Sequence, residues 1–193
     1  MGRTREAALS GAVAAVTKYG SRKATMGDVA MLAGIAKATL YNHFRTKDDV
    51  YAAVVEAEVD AIAEAALAQL PNGFDVALAE AAGMIADSPA IRRVAAQEPA
   101  VAAALATPGE GNAWTSARAH VARALQQAGL SDSAAAVDLV LRYLASQVLA
   151  PSGPAERAAA AALITAAVAS PHGEARAEPA PGSALADSSD TSS

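Results

Sequence analysis

The side chains best suited to chemistry lie in a short stretch between residues 37 and 43, and the chemistry that they suit is recognition of DNA. Leu40 is apolar, and a rotation of about 100° per residue turns Ala38 and Asn42 to the opposite side of a helix. Thr39 and Tyr41 fall on its flanks. Small, hydroxyl, amide and aromatic groups can contact base edges and thymine methyls in the major groove. The stretch therefore predicts a recognition helix.

Two short helices joined by a glycine turn would hold that stretch in place. Gly34 supplies the backbone freedom that a tight turn needs. Apolar residues at helical spacing lie on both sides of it, namely Val29, Ala30, Leu32, Ala33, Leu40 and Phe44. Thr25 and Thr46 each precede an aspartate by three residues, which is the spacing of a capping box, and a helix that begins this way presents backbone amides to a phosphate. Residues 25–49 are therefore predicted to form a helix-turn-helix.

The same segment resembles the N-terminal signature of the tetracycline-repressor (TetR) family of transcriptional regulators. The matching residues occur in order and without a gap: Gly20, Thr25, Asp28-Val29-Ala30, Ala33-Gly34-Ile35, Lys37, Thr39-Leu40-Tyr41, His43-Phe44 and Lys47. The likeness covers residues 5–55, and beyond them only the length and the helical character are similar. It implies contacts with bases or nearby backbone for Lys37, Ala38, Tyr41 and Asn42. It implies phosphate contacts for Thr25, His43 and Lys47, and Thr39 completes the predicted DNA-binding surface.

Three departures from the signature concern the packing of this N-terminal domain. Ala36 stands where the family often has a serine or threonine that caps the recognition helix, so one hydrogen bond is expected to be missing, at a cost of about 1 kcal/mol. Ser21 replaces the usual aromatic residue after the glycine, and Ala15-Val16 replaces a leucine-phenylalanine pair. These smaller residues predict a loosely packed domain, but none of the changes removes a side chain that faces the groove.

Charge is distributed unevenly along the chain. Residues 1–50 hold eight basic and four acidic residues, a net charge of +4, whereas the remainder holds 7 basic and 16 acidic residues, a net charge of −9. All four lysines lie in the basic segment. A basic segment suits a polyanion such as DNA, and the acidic remainder would repel it. The charge pattern therefore favours DNA binding by the N-terminal domain.

The composition of the 193 residues predicts an all-α protein of the cytoplasm. Alanine is abundant and β-branched alternation is scarce, which favours helices over strands. There is no cysteine, so disulfides and thiolate metal sites are excluded, and a reducing compartment fits that absence. No apolar run reaches the length of a membrane span, and the polar start lacks the apolar region of a signal peptide. We therefore expect no membrane contact.

Helical periodicity and helix breakers divide the chain into three parts. A DNA-binding domain is expected over residues 1–47, a helical effector-binding and dimerisation domain over 48–170, and a disordered tail over 171–193, where large apolar residues almost vanish. Helices are predicted over residues 4–19, 47–70, 74–86, 90–107 with a break near Pro99, 113–128, 132–149 and 154–169. The helix at 47–70 joins the first two parts and would act as a lever between them.

Apolar stripes on the last two helices predict a second copy of this chain as a partner. The stripes consist of Val137, Leu141, Leu144 and Val148 on one helix and of Leu163, Ile164 and Val168 on the next. The alanines among them permit a partner helix to approach closely. The resemblance to the TetR family implies a four-helix interface about a two-fold axis. The alternative is that the stripes only close the core of one protomer.

Large side chains in the helical domain are candidates for an effector pocket. Met84, Trp114 and Tyr143 are assigned to it because large groups in an alanine-rich bundle shape an apolar cavity, and plain core is the alternative for each. The resemblance to the TetR family implies that the helix carrying His120 lines the pocket, so that His120 could hydrogen-bond a ligand; the alternative is a polar or half-buried group. The three histidines are scattered without metal-ligand spacing, so no metal is expected. No acidic residue is paired with a nucleophile, a phosphate loop or an oxyanion site, so neither a cofactor nor catalysis is expected.

These patterns predict a homodimeric transcriptional regulator, and more specifically a repressor that a small-molecule effector releases from a palindromic double-stranded operator. Two alternatives stay open at this point. One is a constitutive DNA-binding protein without an effector, which a filled core would support. The other is a binding module or enzyme that retains the helix-turn-helix without using it.

Overall fold

The computed structural model describes residues 2–109 and 111–169, and these residues fold into ten α-helices without a β-strand. The all-α prediction is confirmed. The helices are α1 (Gly2–Tyr19), α2 (Met26–Ala33), α3 (Lys37–His43), α4 (Lys47–Gln69), α5 (Phe74–Asp87), α6 (Pro89–Gln97), α7 (Pro99–Leu105), α8 (Asn112–Gln127), α9 (Ala134–Leu149) and α10 (Pro154–Ala169). We call α1–α3 the head and α5–α10 the body. The tail predicted over 171–193 lies outside the described residues.

The predicted helix-turn-helix is formed by α2 and α3. Gly34 ends α2 with a φ of 65°, the left-handed conformation that a glycine adopts without strain. Leu40 points into the core of the head together with Val29, and both are fully buried. Ala36 occupies the N-cap of α3 and makes no side-chain hydrogen bond there, so the predicted loss of that cap is confirmed.

The head is not loosely packed where α1 crosses α2, contrary to expectation. A Cβ atom added to Gly11 would lie 2.7 Å from the Cβ of Ala33 and 2.7 Å from the carbonyl oxygen of Val29. The small residues of α1 therefore do not leave space. They let two helix backbones approach each other closely, and Ala8, Ala12 and Ala15 are all fully buried in the resulting core.

Helix α4 runs without interruption through the predicted boundary between residues 47 and 48. Thr46 caps its N-terminus in a capping box with Asp49, as predicted from their spacing. Val50 and Ala53, in the first two turns, are buried in the core of the head. The helix then continues towards the body and ends at a short 3-10 turn, Leu70–Asn72. One rigid element thus belongs to both parts of the molecule.

The break predicted near Pro99 in the helix over 90–107 is confirmed, because this stretch forms two helices, α6 and α7, with Glu98 between them. Pro99 begins α7, and a proline forces the residue before it away from helical backbone angles. Glu98 accordingly has φ −136° and ψ 61°.

The start of α9 differs slightly from the prediction. The helix begins at Ala134 rather than at residue 132, because the Ser133 hydroxyl caps it by accepting a hydrogen bond from the amide of Ala136 (3.3 Å).

The apolar stripes of α9 and α10, which were predicted to form the dimer interface, lie mostly inside one protomer. Four of their residues are already buried inside one protomer, with exposed fractions of 2–8 %: Val137, Leu141, Val148 and Val168. A side chain buried in this way has almost no surface left to bury against a partner. Leu144 and Ile164 are half-buried on the same core. Leu163 differs from all of these, since 73 % of it is exposed.

Candidate DNA-binding surface and effector cavity

Helix α3 presents most of the predicted DNA-binding residues on its outer face. With Leu40 buried on the inner side, five of the residues predicted to contact DNA are exposed: Lys37, Ala38, Tyr41, Asn42 and His43. Thr39 is half-buried on the flank. This face carries an ammonium, a hydroxyl, an amide and an aromatic ring on one short helix, which are groups that contact base edges and phosphates.

Thr25 is exposed at the start of α2, but its hydroxyl is already engaged. Its Oγ1 donates to Asp28 Oδ2 (2.6 Å) and accepts from the Asp28 amide (3.2 Å), while the Thr25 amide donates to Asp28 Oδ2 (2.9 Å). These hydrogen bonds, first from the Thr25 hydroxyl and then from its amide, hold the pKa of Asp28 below its usual value. The arrangement fixes the helix end that would meet a phosphate.

Lys47 lies at the turn between α1 and α2 rather than projecting freely from α4. Its Nζ donates to the carbonyl oxygens of Ser21 (3.0 Å) and Arg22 (3.2 Å). The Tyr51 hydroxyl also donates to the Ser21 carbonyl (3.0 Å). Burial, with smaller contributions from the carboxylates of Glu98 and Asp48, raises the pKa of Tyr51 to about 12. Helix α4 therefore holds the turn that precedes the helix-turn-helix.

Glu98 binds the same turn from the body side, and sequence reasoning did not assign it to the site. The Ser21 amide donates to Oε1 (2.5 Å), the Ser21 hydroxyl to Oε2 (2.6 Å), and the Arg22 amide to Oε2 (3.1 Å). Only 7 % of Glu98 is exposed. We call these contacts the Glu98 clamp. The break before Pro99 indicated a special position in the chain, but no sequence pattern showed which groups would donate hydrogen bonds to the Glu98 carboxylate.

Ionisation of Glu98 is part of the clamp. Burial acts to raise the pKa of its carboxyl group, but the hydrogen bonds from Ser21 and Arg22 and the nearby Arg22 guanidinium hold the pKa below the usual value of 4.5. The carboxylate is therefore the form that the folded protein favours. A charged group buried between head and body is stabilised only while those donors remain in position.

An apolar cavity of about 380 Å³ lies between head and body. The head contributes Val13, Val16 and Ser21 to its wall, and the body contributes residues from α5 to α9. The side of α4 that faces the body also lines it, including Val55, Val59 and Ile62. These α4 residues are only half-buried, because they face the cavity instead of a packed core. A volume of this size is in the usual range for small-molecule pockets.

Two of the four predicted pocket residues line this cavity. Trp114 and His120 do so from α8, whereas Met84 and Tyr143 do not. Helix α5 presents Ala77, Leu78, Ala81 and Ile85 to the cavity, and Met84 is half-buried beside that face. Tyr143 is oriented towards α10, where its hydroxyl donates to the carbonyl of Arg157 (3.3 Å).

His120 links the cavity wall to α4. Its Nε2 lies 2.9 Å from Asp60 Oδ1, which also accepts a hydrogen bond from the Ser116 hydroxyl (3.1 Å). These two hydrogen bonds, that of His120 first, lower the pKa of Asp60. Because a carboxylate only accepts, Nε2 carries the proton of that contact. The other ring nitrogen, Nδ1, is buried and has no hydrogen-bond partner within the described part of the chain.

Residues 8–54 match the family described as bacterial regulatory proteins, tetR family. No curated protein matches the chain by sequence. Among the residues that the structure covers, we find no group of three or more histidine and acidic side chains able to hold a metal ion, and no helix long and apolar enough to cross a membrane.

Several solved structures share the fold at low sequence identity. The TetR-family repressor AlkX from Dietzia sp. strain DQ12-45-1b has a TM-score of 0.64 and 21 % identity, over 85 % of this chain and 94 % of that one. A TetR-family regulator from Rhodococcus sp. has a TM-score of 0.60 and 21 % identity, over 88 % of this chain and 100 % of that one. The fatty acid degradation regulator FadR from Bacillus halodurans has a TM-score of 0.53 and 14 % identity, over 84 % of this chain and 96 % of that one. At these identities the likeness establishes the fold alone.

Proposed function

We propose that the chain is a DNA-binding transcriptional regulator of the TetR family, a repressor that a small-molecule effector releases from a palindromic operator. Members of this family are regulators rather than enzymes, and we propose no catalytic role. The recognition surface is the exposed face of α3, with Lys37, Tyr41 and Asn42 at its centre. A regulator of this kind would act in the cytoplasm, where it meets the chromosome.

The observation that carries the proposal is the shared wall of the cavity. Residues of the head, the connecting helix and the body all border one apolar space. A molecule bound there contacts Ser21, whose backbone and hydroxyl are held by the Glu98 clamp. A ligand that favours one arrangement of head and body changes DNA affinity, and by reciprocity DNA changes ligand affinity. An unfilled core also argues against a constitutive DNA binder without an effector.

We further propose that two protomers associate through the outer faces of α9 and α10. Three leucines are exposed there, Leu139 and Leu149 on α9 and Leu163 on α10. Most of the remaining exposed residues of α10 are alanines, which allow close helix packing. The exposed Arg142–Asp138 ion pair (2.6 Å) adds a polar contact to this face of α9. This face replaces the buried stripes first predicted from the sequence.

Operator release tests the proposal directly. Fragments of genomic DNA would be selected on the purified protein, and binding of a selected fragment measured by fluorescence anisotropy while small apolar compounds are added. We expect a compound that releases the fragment to change Trp114 fluorescence over the same concentration range, because both signals report one binding event. Sequence-independent DNA binding that responds to salt but to no cavity ligand would contradict the proposal.

A further inference from the structure

The apolar cavity adjoins an open groove between α1 and α4. Val13, Val54 and Glu58 border both spaces, and the groove has a volume of about 620 Å³. The two spaces therefore lie side by side, with these three residues at the boundary. A ligand that enters the cavity from the groove, or protrudes into it, must pass Glu58.

Glu58 sets the sign of the charge at this boundary. It is the one acidic or basic residue, His120 aside, among the described residues that line the cavity, and His120 is paired with Asp60. The groove adds Glu6 and Lys18, whose charges oppose each other. Glu58 itself is exposed and has no hydrogen-bond or ion-pair partner within the described ranges. Its carboxylate is therefore available to a ligand.

We propose that the effector is a lipophilic cation, with a hydrocarbon body in the cavity and an amine or quaternary ammonium group at Glu58. This inference rests on the proposed function, since it takes the cavity as the effector site. The apolar wall favours burial of a hydrocarbon. The unpaired carboxylate attracts a cation and repels an anion, and no lysine or arginine of the described chain lines the cavity to receive one. The ring of Trp114 also favours a cation over an anion.

Three probes with the same decyl chain separate the charge from the hydrocarbon: decylammonium, decanol and decanoate. Binding would be followed through Trp114, which is the only tryptophan and lines the cavity. At neutral pH we expect decylammonium to bind at least about threefold more tightly than decanol, which is the strength of a partly exposed ion pair. Decanoate should bind more weakly than both, because it must bury its charge without a counter-ion.

Variants of Glu58 test whether that residue makes the distinction. Glu58→Gln should lower the affinity for decylammonium to that for decanol, while the affinity for decanol stays unchanged. Glu58→Lys should make the affinity for decanoate higher than that for decylammonium. Glu64→Gln is the matched control, since Glu64 is an exposed residue of α4 that borders neither space. The inference is overturned if decanoate binds wild-type protein as tightly as decylammonium does, or if the preference survives Glu58→Gln.

A cavity-filling variant keeps this test separate from that of the proposed function. Ala117 lines the cavity from α8, and Ala117→Phe should abolish binding of all three probes; Ala63→Phe on α4 serves the same purpose if the first variant does not fold. If wild-type protein binds the three probes equally tightly and the cavity-filling variant binds none of them, the cationic effector is overturned but the cavity remains the effector site. Binding that survives filling, or no binding at all, would overturn both.

Discussion

Lys37 and Tyr41 stand one helical turn apart on the exposed face of α3, where the Lys37 Nζ lies 6.0 Å from the centroid of the Tyr41 ring. Neither side chain contributes to the core of the head. Their removal should therefore leave folding intact while it removes contacts with DNA. This separation of recognition from stability makes them the sharpest single-residue test of the proposed surface.

Replacing Lys37 or Tyr41 by alanine should weaken operator binding by about 1–3 kcal/mol wherever the missing side chain touched a base. Fluorescence anisotropy with the selected operator and with a scrambled fragment would measure the decrease in affinity and in sequence preference. Lys23→Ala, an exposed lysine outside α3, is the control for removal of charge alone. If neither variant of the α3 pair changes operator affinity, α3 is not the recognition helix.

Glu98 gives a prediction for both stability and pH. Glu98→Gln should lower the free energy of unfolding by about 1–3 kcal/mol at neutral pH, because an amide oxygen cannot accept all the hydrogen bonds that the buried carboxylate accepts. The pKa of Glu98 is depressed, so its stabilising contribution is complete above 4.5 and is lost as the pH falls through the lowered value.

Urea denaturation at a series of pH values checks this prediction. The difference between wild type and Glu98→Gln should be largest at neutral pH and should shrink below pH 4.5. The charged and titratable groups around the carboxylate are Arg22, Lys47 and Tyr51, and the pKa of the tyrosine is raised to about 12, far from this range. A difference that stays constant down to low pH would show that the carboxylate charge is not what stabilises the clamp.

At the scale of elements, the close crossing of α1 and α2 depends on Gly11. Gly11→Ala should destabilise the head by about 1–3 kcal/mol, since its Cβ would meet backbone and Cβ atoms only 2.7 Å away, and no flexible side chain is there to move aside. Gly2→Ala at the exposed start of the same helix is the control, because its Cβ would meet no atom within 4 Å. Thermal unfolding measures the difference, and equal melting temperatures would contradict the close crossing.

The elements that the sequence predicted well are those whose ends are marked locally. Capping boxes at Thr25 and Thr46 begin α2 and α4, and Gly34 ends α2, so these bounds follow from neighbouring residues. The α6–α7 junction was predicted only as a break, because the partners of Glu98 are more than seventy residues away along the chain. Helix periodicity likewise identified the stripes of α9 and α10 but not the core that they face. The partner of Glu98 and the burial of these stripes depend on contacts between segments that are distant in the sequence, which no local sequence pattern records.

At the scale of the whole molecule, the exposed leucines of α9 and α10 predict a dimer that reads two half-sites. Leu163→Asp should yield monomers, because the added charge would be buried in the proposed interface. Val76→Asp, an exposed apolar residue on α5, is the matched control and should remain dimeric. Sedimentation velocity at micromolar concentration distinguishes the two. A wild-type protein that sediments as a monomer, or a dimeric Leu163→Asp variant, would refute the interface.

The cavity beside α4 also determines how the protein should respond to hydrostatic pressure. Close-packed interiors resist compression, whereas an internal void that disappears on unfolding makes the unfolded state the smaller one. Pressure should therefore unfold the ligand-free protein readily. A bound effector would occupy that volume and remove much of the sensitivity. The volume that would bind the proposed effector is therefore the same volume that would make the protein sensitive to pressure.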